Sequence, residues 1–132
     1  MTYVELRAHT CYSFSDGAIS AEALAKHARR LGYTHLGVTD TADLGGIAKF
    51  AVEAMSPVYD PSCEDAERHD GPCRKCQSPV RPIVGAELVV DGHPAAFLAR
   101  SQRGYENLAA LVTLARVGQW DDWDKKAQGK RR

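Results

Sequence analysis

The sequence predicts an α/β domain of parallel strands joined by helical crossovers, and three observations carry that expectation. A short apolar strand, a polar loop and an amphipathic helix follow one another twice before residue 56. A third apolar strand then leads through Asp91-Gly92 into a fourth, and a further amphipathic stretch closes the pattern. Alternation of this kind places strands side by side in one sheet with right-handed crossovers, and functional loops then gather at the C-terminal ends of the strands.

Taken in order, residues 3–8 alternate enough for a first strand, and the polar run 10–17 reads as the loop after it. Ser20 is a helix N-cap candidate. Residues 21–31 put Ala21, Leu24, Ala25, Ala28 and Leu31 on one helical face, with Gly32 as the stop. Residues 35–38 form a second strand that runs into a polar loop, Thr39-Asp40-Thr41-Ala42-Asp43, and 44–55 suit a second helix despite Gly45 and Gly46. Residues 83–90 and 95–99 are strands about the tight-turn dipeptide Asp91-Gly92, with Pro94 at a strand start. Residues 105–117 predict a third helix with Leu108, Leu111, Val112 and Ala115 on one face.

Composition bounds the function. The chain has 132 residues, 44% hydrophobic and 26% charged, which suits one globular domain. Lys plus Arg and Asp plus Glu number 17 each, so no global field selects nucleic acid or a basic partner, and any such contact must be local. No apolar run approaches the roughly 20 residues of a membrane span, and Met1-Thr2-Tyr3-Val4-Glu5 has no secretory pattern. The expectation is a cytoplasmic protein without membrane contact. Four cysteines in that reducing compartment point to thiols or metal ligands rather than disulfides.

Two groups of residues can carry chemistry. The first is His9 and Asp16 after strand one, Asp40 and Asp43 after strand two, and Glu87 on strand three. A mixed imidazole and carboxylate set suits zinc, manganese or iron able to activate water against phosphorus. Each residue taken singly is equally well a cap or a turn former. The second group is Cys63, His69, Cys73 and Cys76, within residues 56–80, a stretch with four of the six prolines that breaks the α/β pattern and reads as an insertion. Cys73-x2-Cys76 is a zinc-knuckle spacing, and Cys63 and His69 could complete a tetrahedral site that substitutes for an apolar core. The competing reading is a loop of reduced thiols. Cys11 reads as a buried small residue. His27 reads as solvated and His35 as a packing or capping residue.

The ordered set His9-Thr10-Cys11-Tyr12-Ser13-Phe14-Ser15-Asp16-Gly17, Gly37-Val38-Thr39-Asp40, Arg81-Pro82-Ile83-Val84-Gly85-Ala86-Glu87, Phe97-Leu98-Ala99-Arg100 and Gly104-Tyr105-Glu106-Asn107-Leu108 resembles the N-terminal PHP domain of bacterial DNA polymerase III alpha subunits and their error-prone relatives. The resemblance implies a distorted β/α barrel that holds divalent metals and, in intact members, hydrolyses phosphoesters or removes DNA 3′ ends. It makes His9, Asp16, Glu87 and, nearest to a later family histidine, His93 the ligand positions, with Asp40 a further catalytic candidate.

Two departures weaken that site. The family's His-x-His is Arg7-Ala8-His9 here, and its Thr-Asp-His is Thr39-Asp40-Thr41. Arg7 places a fixed positive charge where a cation would sit and cannot deprotonate to ligate it. Pairing of Arg7 with Asp16 or Glu87 would hold such a pocket without metal. The expectation is a partial PHP barrel over residues 1–117 with a Cys-rich insertion at 56–80, and a polar basic tail or linker at 118–132. Its role is that of a polymerase-derived segment in DNA replication or error-prone synthesis with a degenerate phosphoesterase site. It cannot polymerise by itself, since the resemblance places the polymerase domains further along than this sequence reaches. A zinc-binding module recruited to polymerase or DNA and a stand-alone phosphoesterase are the alternatives. DNA, other replication proteins, the rest of a polymerase chain or further copies of this chain are the expected partners, and the chain reads as a fragment or truncated product.

Overall fold

A computed structural model describes residues 3–63 and 76–117. The chain runs β1 (Glu5–Ala8), α1 (Ala21–Arg30), β2 (His35–Thr41), α2 (Gly45–Met55), β3 (Arg81–Val90), β4 (His93–Leu98) and α3 (Gln102–Val117). The strands form one sheet in the order β1-β2-β3-β4, with β1, β2 and β3 parallel and β4 antiparallel to β3. This is a mixed α/β architecture consistent with part of a β/α barrel.

Local chemistry explains the element ends. Ser20 caps α1 by accepting from the Ala23 N–H at 3.2 Å. At the other end Gly32 takes φ +77°, so that its N–H reaches Arg29 O and the Tyr33 N–H reaches Ala28 O, a Schellman closure. Asp91 and Gly92 both have positive φ, as a type I′ hairpin turn requires.

Strand alternation sorts the sheet into two faces. Leu36 and Val38 of β2 join Ala21, Ala25 and Ala28 of α1 and Ile47, Phe50 and Ala54 of α2 in the main core. Ala86 and Leu88 of β3 pack with Leu108 and Val112 of α3 in a second cluster. Register pairs Leu36 with Pro82, Val38 with Val84 and Asp40 with Ala86, so both clusters lie on the helical side. Gly37, Thr39, Thr41, Ile83, Gly85 and Glu87 therefore belong to the opposite face.

Several expectations shift. β2 continues through Thr39, Asp40 and Thr41, residues read as loop, because they pair in register with Gly85, Ala86 and Glu87 of β3, and Thr39 and Asp40 are buried there. β1 begins at Glu5, β4 at His93 and α3 at Gln102. Leu31 is exposed because it caps α1 rather than continuing its apolar face, and Ala115 is exposed beyond the last sheet contact of α3. Cys11 is exposed, which corrects its reading as a buried residue: it lies on the loop between Thr10 and Ser13, whose side chains turn inward to Asp40 while its own faces solvent.

Arg29 is the packing residue that sequence periodicity concealed. It is buried on the apolar side of α1, pairs with Glu53 of α2, and donates to the carbonyls of Glu53 and Ser56, the latter at 2.9 Å. One guanidinium thus closes the C-terminal end of α2. Arg29→Ala is expected to lower unfolding free energy by about 2–3 kcal/mol in urea titration, somewhat under the usual cost of breaking a buried pair because Glu53 is 27% exposed.

Candidate functional site

The site is assembled by the loop between β1 and α1 together with the ends of β2 and β3. Its foundation is Asp40, 1% exposed at the end of the helical-side row of β2. One carboxylate oxygen accepts from the Thr10 N–H at 2.6 Å and from the Ser13 hydroxyl at 2.8 Å, and the other from the Thr10 hydroxyl at 2.7 Å. Ser13 in turn accepts from the Thr41 N–H at 3.0 Å. Buried carboxylates need such donors. Asp40, singled out as a catalytic candidate, thus holds the β1–α1 loop onto β2. Thr10 and Ser13 were not singled out, although two hydroxyls beside His9 in a polar loop are the kind of donors a buried acidic residue recruits.

The opposite face carries the candidate chemistry. Ala8 is in register with Val38 on the helical side, so Arg7 and His9 fall on the face of Glu87. β1 and β3 are separated by β2, about 10 Å at ordinary strand spacing, and only long side chains bridge that gap over Thr39 and Thr41. Arg7 does so, pairing with Glu87. His9 Nδ1 contacts Asp16, and its Nε2 lies 3.7 Å from Glu87. His9 and Glu87 are largely covered, with side chains 16% and 13% exposed, whereas Asp16 is 61% exposed. The result is a chain of alternating groups, Arg7, Glu87, His9 and Asp16. Nearby, the Tyr3 hydroxyl and the Arg7 N–H donate to Glu5 and hold its carboxyl below the ordinary range.

Other candidates stand apart. Asp43 accepts from the Gly45 N–H and pairs at 2.8 Å with Arg116, tying the end of α3 to the β2–α2 loop. His93 pairs with Val90, three residues beyond Glu87, and alternation puts it on the helical face. The structure does not bring His93 to the His9 group. His69 and Cys73 lie outside the described residues. Cys63 and Cys76 do approach a common turn: the Asp60 N–H donates to Cys76 Sγ at 3.4 Å and the Cys63 N–H to Asp60 O at 2.9 Å. A bridge between Val58 and Gln77 closes the base of that segment.

The donors do not fit a divalent ion as they stand. Glu87 is engaged by a permanent cation and His9 by Asp16, and among the described residues no three His, Cys, Asp or Glu side chains group so as to hold a metal. Thr39 lies beside this face with its hydroxyl buried and without a partner among the described residues. Thr39→Val is expected to be neutral or to stabilise by up to about 1 kcal/mol, read as a higher urea midpoint, since it removes an unsatisfied polar atom.

Parallel strands with helical crossovers, and imidazole and carboxylate groups gathered where those strands end, are consistent with part of a β/α-barrel-type domain. Family comparison narrows this: residues 5–131 match the PHP domain, and the chain belongs to that family. It is similar to error-prone DNA polymerases. It is 35% identical over 115 residues to that of Dechloromonas aromatica (strain RCB), covering 86% of this chain and 9% of the relative. It is 36% identical over 123 residues to that of Anaeromyxobacter sp. (strain K), covering 89% and 9%. With that of Mycobacterium tuberculosis (strain ATCC 25618 / H37Rv) it shares 35% identity over 117 residues, covering 89% and 10%. The chain spans about a tenth of the length of the curated relatives it matches. Among the described residues no helix is long and apolar enough to cross a membrane.

Proposed function

We propose that the chain serves as the PHP segment of an error-prone, polymerase III alpha-like protein, acting as a scaffold whose phosphoesterase site is closed by an ion pair between a half-exposed Arg7 and the covered Glu87. The observation that carries this reading is the pairing of Arg7 with Glu87, at the position where family resemblance expects a histidine ligand. A guanidinium there opposes a second positive charge and neutralises the carboxylate that would bind one. Metal dependence is a typical property of PHP domains, and His9, Asp16 and Glu87 are the positions that would hold an ion if Arg7 withdrew. His93 would join them only by a change of face.

Residues 1–117 form the domain in this reading, and 118–132 a basic linker toward the remainder of a larger cytoplasmic chain acting with DNA and other replication proteins. Hydrolysis of a chromogenic phosphodiester with Mn²⁺ tests the closed site. No turnover above the metal blank is expected. Turnover that disappears in His9→Ala and Asp16→Ala would overturn the reading and favour a stand-alone phosphoesterase.

The cysteine segment supports a second role, structural zinc held by Cys63, His69, Cys73 and Cys76. The support is the common turn at Asp60, which both Cys63 and Cys76 approach. An N–H aimed at sulfur suits a thiolate ligand. Zinc content near one equivalent, lost in a Cys73→Ser/Cys76→Ser variant, is expected by atomic absorption. Metal-free protein would end this proposal and the module reading with it.

A further inference from the structure

Among the described residues β4 ends the sheet, and no residue of that strand is buried. α3 directs Leu108 and Val112 at Ala86 and Leu88 of β3, so Phe97 and Leu98 on the next strand stay 37% and 39% exposed. The two edges of the sheet differ. β1 is short, carries Glu5 and Arg7, and shifts register against β2, all of which discourage further pairing. β4 reads His93-Pro94-Ala95-Ala96-Phe97-Leu98, with no carboxylate, ammonium or guanidinium to protect it.

The free edge of β4 is complementary to itself. The two-residue turn Asp91-Gly92 closes on Val90 and His93 as a hydrogen-bonded pair. His93, Ala95 and Phe97 therefore bond to β3, and the Ala99 N–H continues that series to Val84 O at 2.8 Å. The Pro94 carbonyl and the N–H and C=O groups of Ala96 and Leu98 point away from β3. Against a second antiparallel copy, with a twofold axis at Ala96, these groups meet one another. Ala96 exchanges two hydrogen bonds with its counterpart, and each Leu98 N–H donates to the other copy's Pro94 carbonyl. Side chains match in the same register, Pro94 falling beside Leu98 and Ala95 beside Phe97, a small residue against a large one. Charge matches at the ends. Arg100 of one copy comes alongside the Asp91-Gly92 turn of the other, twice by symmetry. Asp91 and Arg100 are both exposed and form no ion pair among the described residues.

We propose that two copies of this chain associate through β4, joining their sheets across a twofold axis at Ala96. The proposal is independent of the Arg7 pocket. A contact of six residues per copy is small, so the pair is reversible and forms with rising concentration. Sedimentation velocity of the full chain in reductant, over a concentration series, tests it. The sedimentation coefficient is expected to rise from that of one chain to that of two. Ala96→Pro removes an N–H that β3 does not use. It is expected to raise the dimer dissociation constant roughly tenfold or more, since symmetry deletes two hydrogen bonds at once. Leu98→Lys keeps every backbone group but sets a charge on the edge, and is expected to weaken the pair likewise with an unchanged circular dichroism spectrum. Arg100→Asp is expected to weaken it and Asp91→Lys/Arg100→Asp to restore it. A single chain at every concentration overturns the proposal and gives the edge to a segment of a longer protein. A dimer that Ala96→Pro and Leu98→Lys both leave unchanged overturns it too, placing the contact on another surface. Neither result touches the closed-site reading.

Discussion

Asp40→Ala is expected to leave little folded protein at room temperature. The substitution strips acceptors from the Thr10 N–H, the Thr10 hydroxyl and the Ser13 hydroxyl together, in a region where Thr10, Ser13 and Asp40 are all at most 1% exposed. Each orphaned donor costs about 1–3 kcal/mol, less whatever a water admitted to the cavity returns, so a total near 4 kcal/mol follows. That is most of the stability available to a small domain at the lower end of the usual range of about 5–15 kcal/mol. Asp40→Asn should cost only about 1–2 kcal/mol, because its one oxygen keeps two donors and the Thr10 hydroxyl can rotate to accept from the amide. Urea midpoints of the pair separate a hydrogen-bond acceptor from a charged catalytic group. Equal stability of Asp40→Ala and wild type would show that the β1–α1 loop is held by something else.

Gly17→Ala is the second severe substitution, and its reason is space rather than backbone angle. A Cβ at Gly17 would lie 1.8 Å from the Thr10 carbonyl oxygen and 2.4 Å from its carbon. Neither atom can swing aside as a flexible side chain would. Thr10 is fixed through Asp40, and its carbonyl accepts from the Ser13 N–H at 2.9 Å. The loop must therefore reopen, at a cost of about 3 kcal/mol or more. Loss of the cooperative thermal transition is the expected readout, with His9 and Asp16 no longer held on one loop. Gly32→Ala makes a useful contrast: among the described residues, its chain neighbours aside, no atom lies within 4 Å of its Cβ position, and the positive φ, +77°, resists the change. Its expected cost is about 1 kcal/mol.

Much of the fold was legible because its signals are local. Ser20 and Gly32 bound α1, Asp91-Gly92 sets the hairpin, and the apolar periods of the helices name most of the core. The failures come from long-range partners. Thr39, Asp40 and Thr41 look like loop because their polarity is only reconciled with a central strand by Thr10 and Ser13, about thirty residues earlier. Arg29 sits one residue after Ala28 and four after Ala25, a charge on an apolar stripe, and that position could have announced a buried pair. In the site, alternation suffices to place Arg7, His9 and Glu87 on one face. The pairing of Arg7 with Glu87 rather than Asp16, and the separation of His93, depend on the register of β1 to β2 and of β3 to β4, which no single segment encodes.

The central claim is that Arg7 closes the PHP site by occupying Glu87. Manganese binding, followed by electron paramagnetic resonance of the free ion, tests it most directly, because Mn²⁺ prefers imidazole and carboxylate donors to the thiolates of the cysteine segment. The wild-type chain is expected to leave the Mn²⁺ signal undiminished, and Arg7→His, which restores the histidine and frees Glu87, is expected to quench it. Quenching by the wild type that is lost in His9→Ala would contradict the account, since the ion would then be held despite the guanidinium.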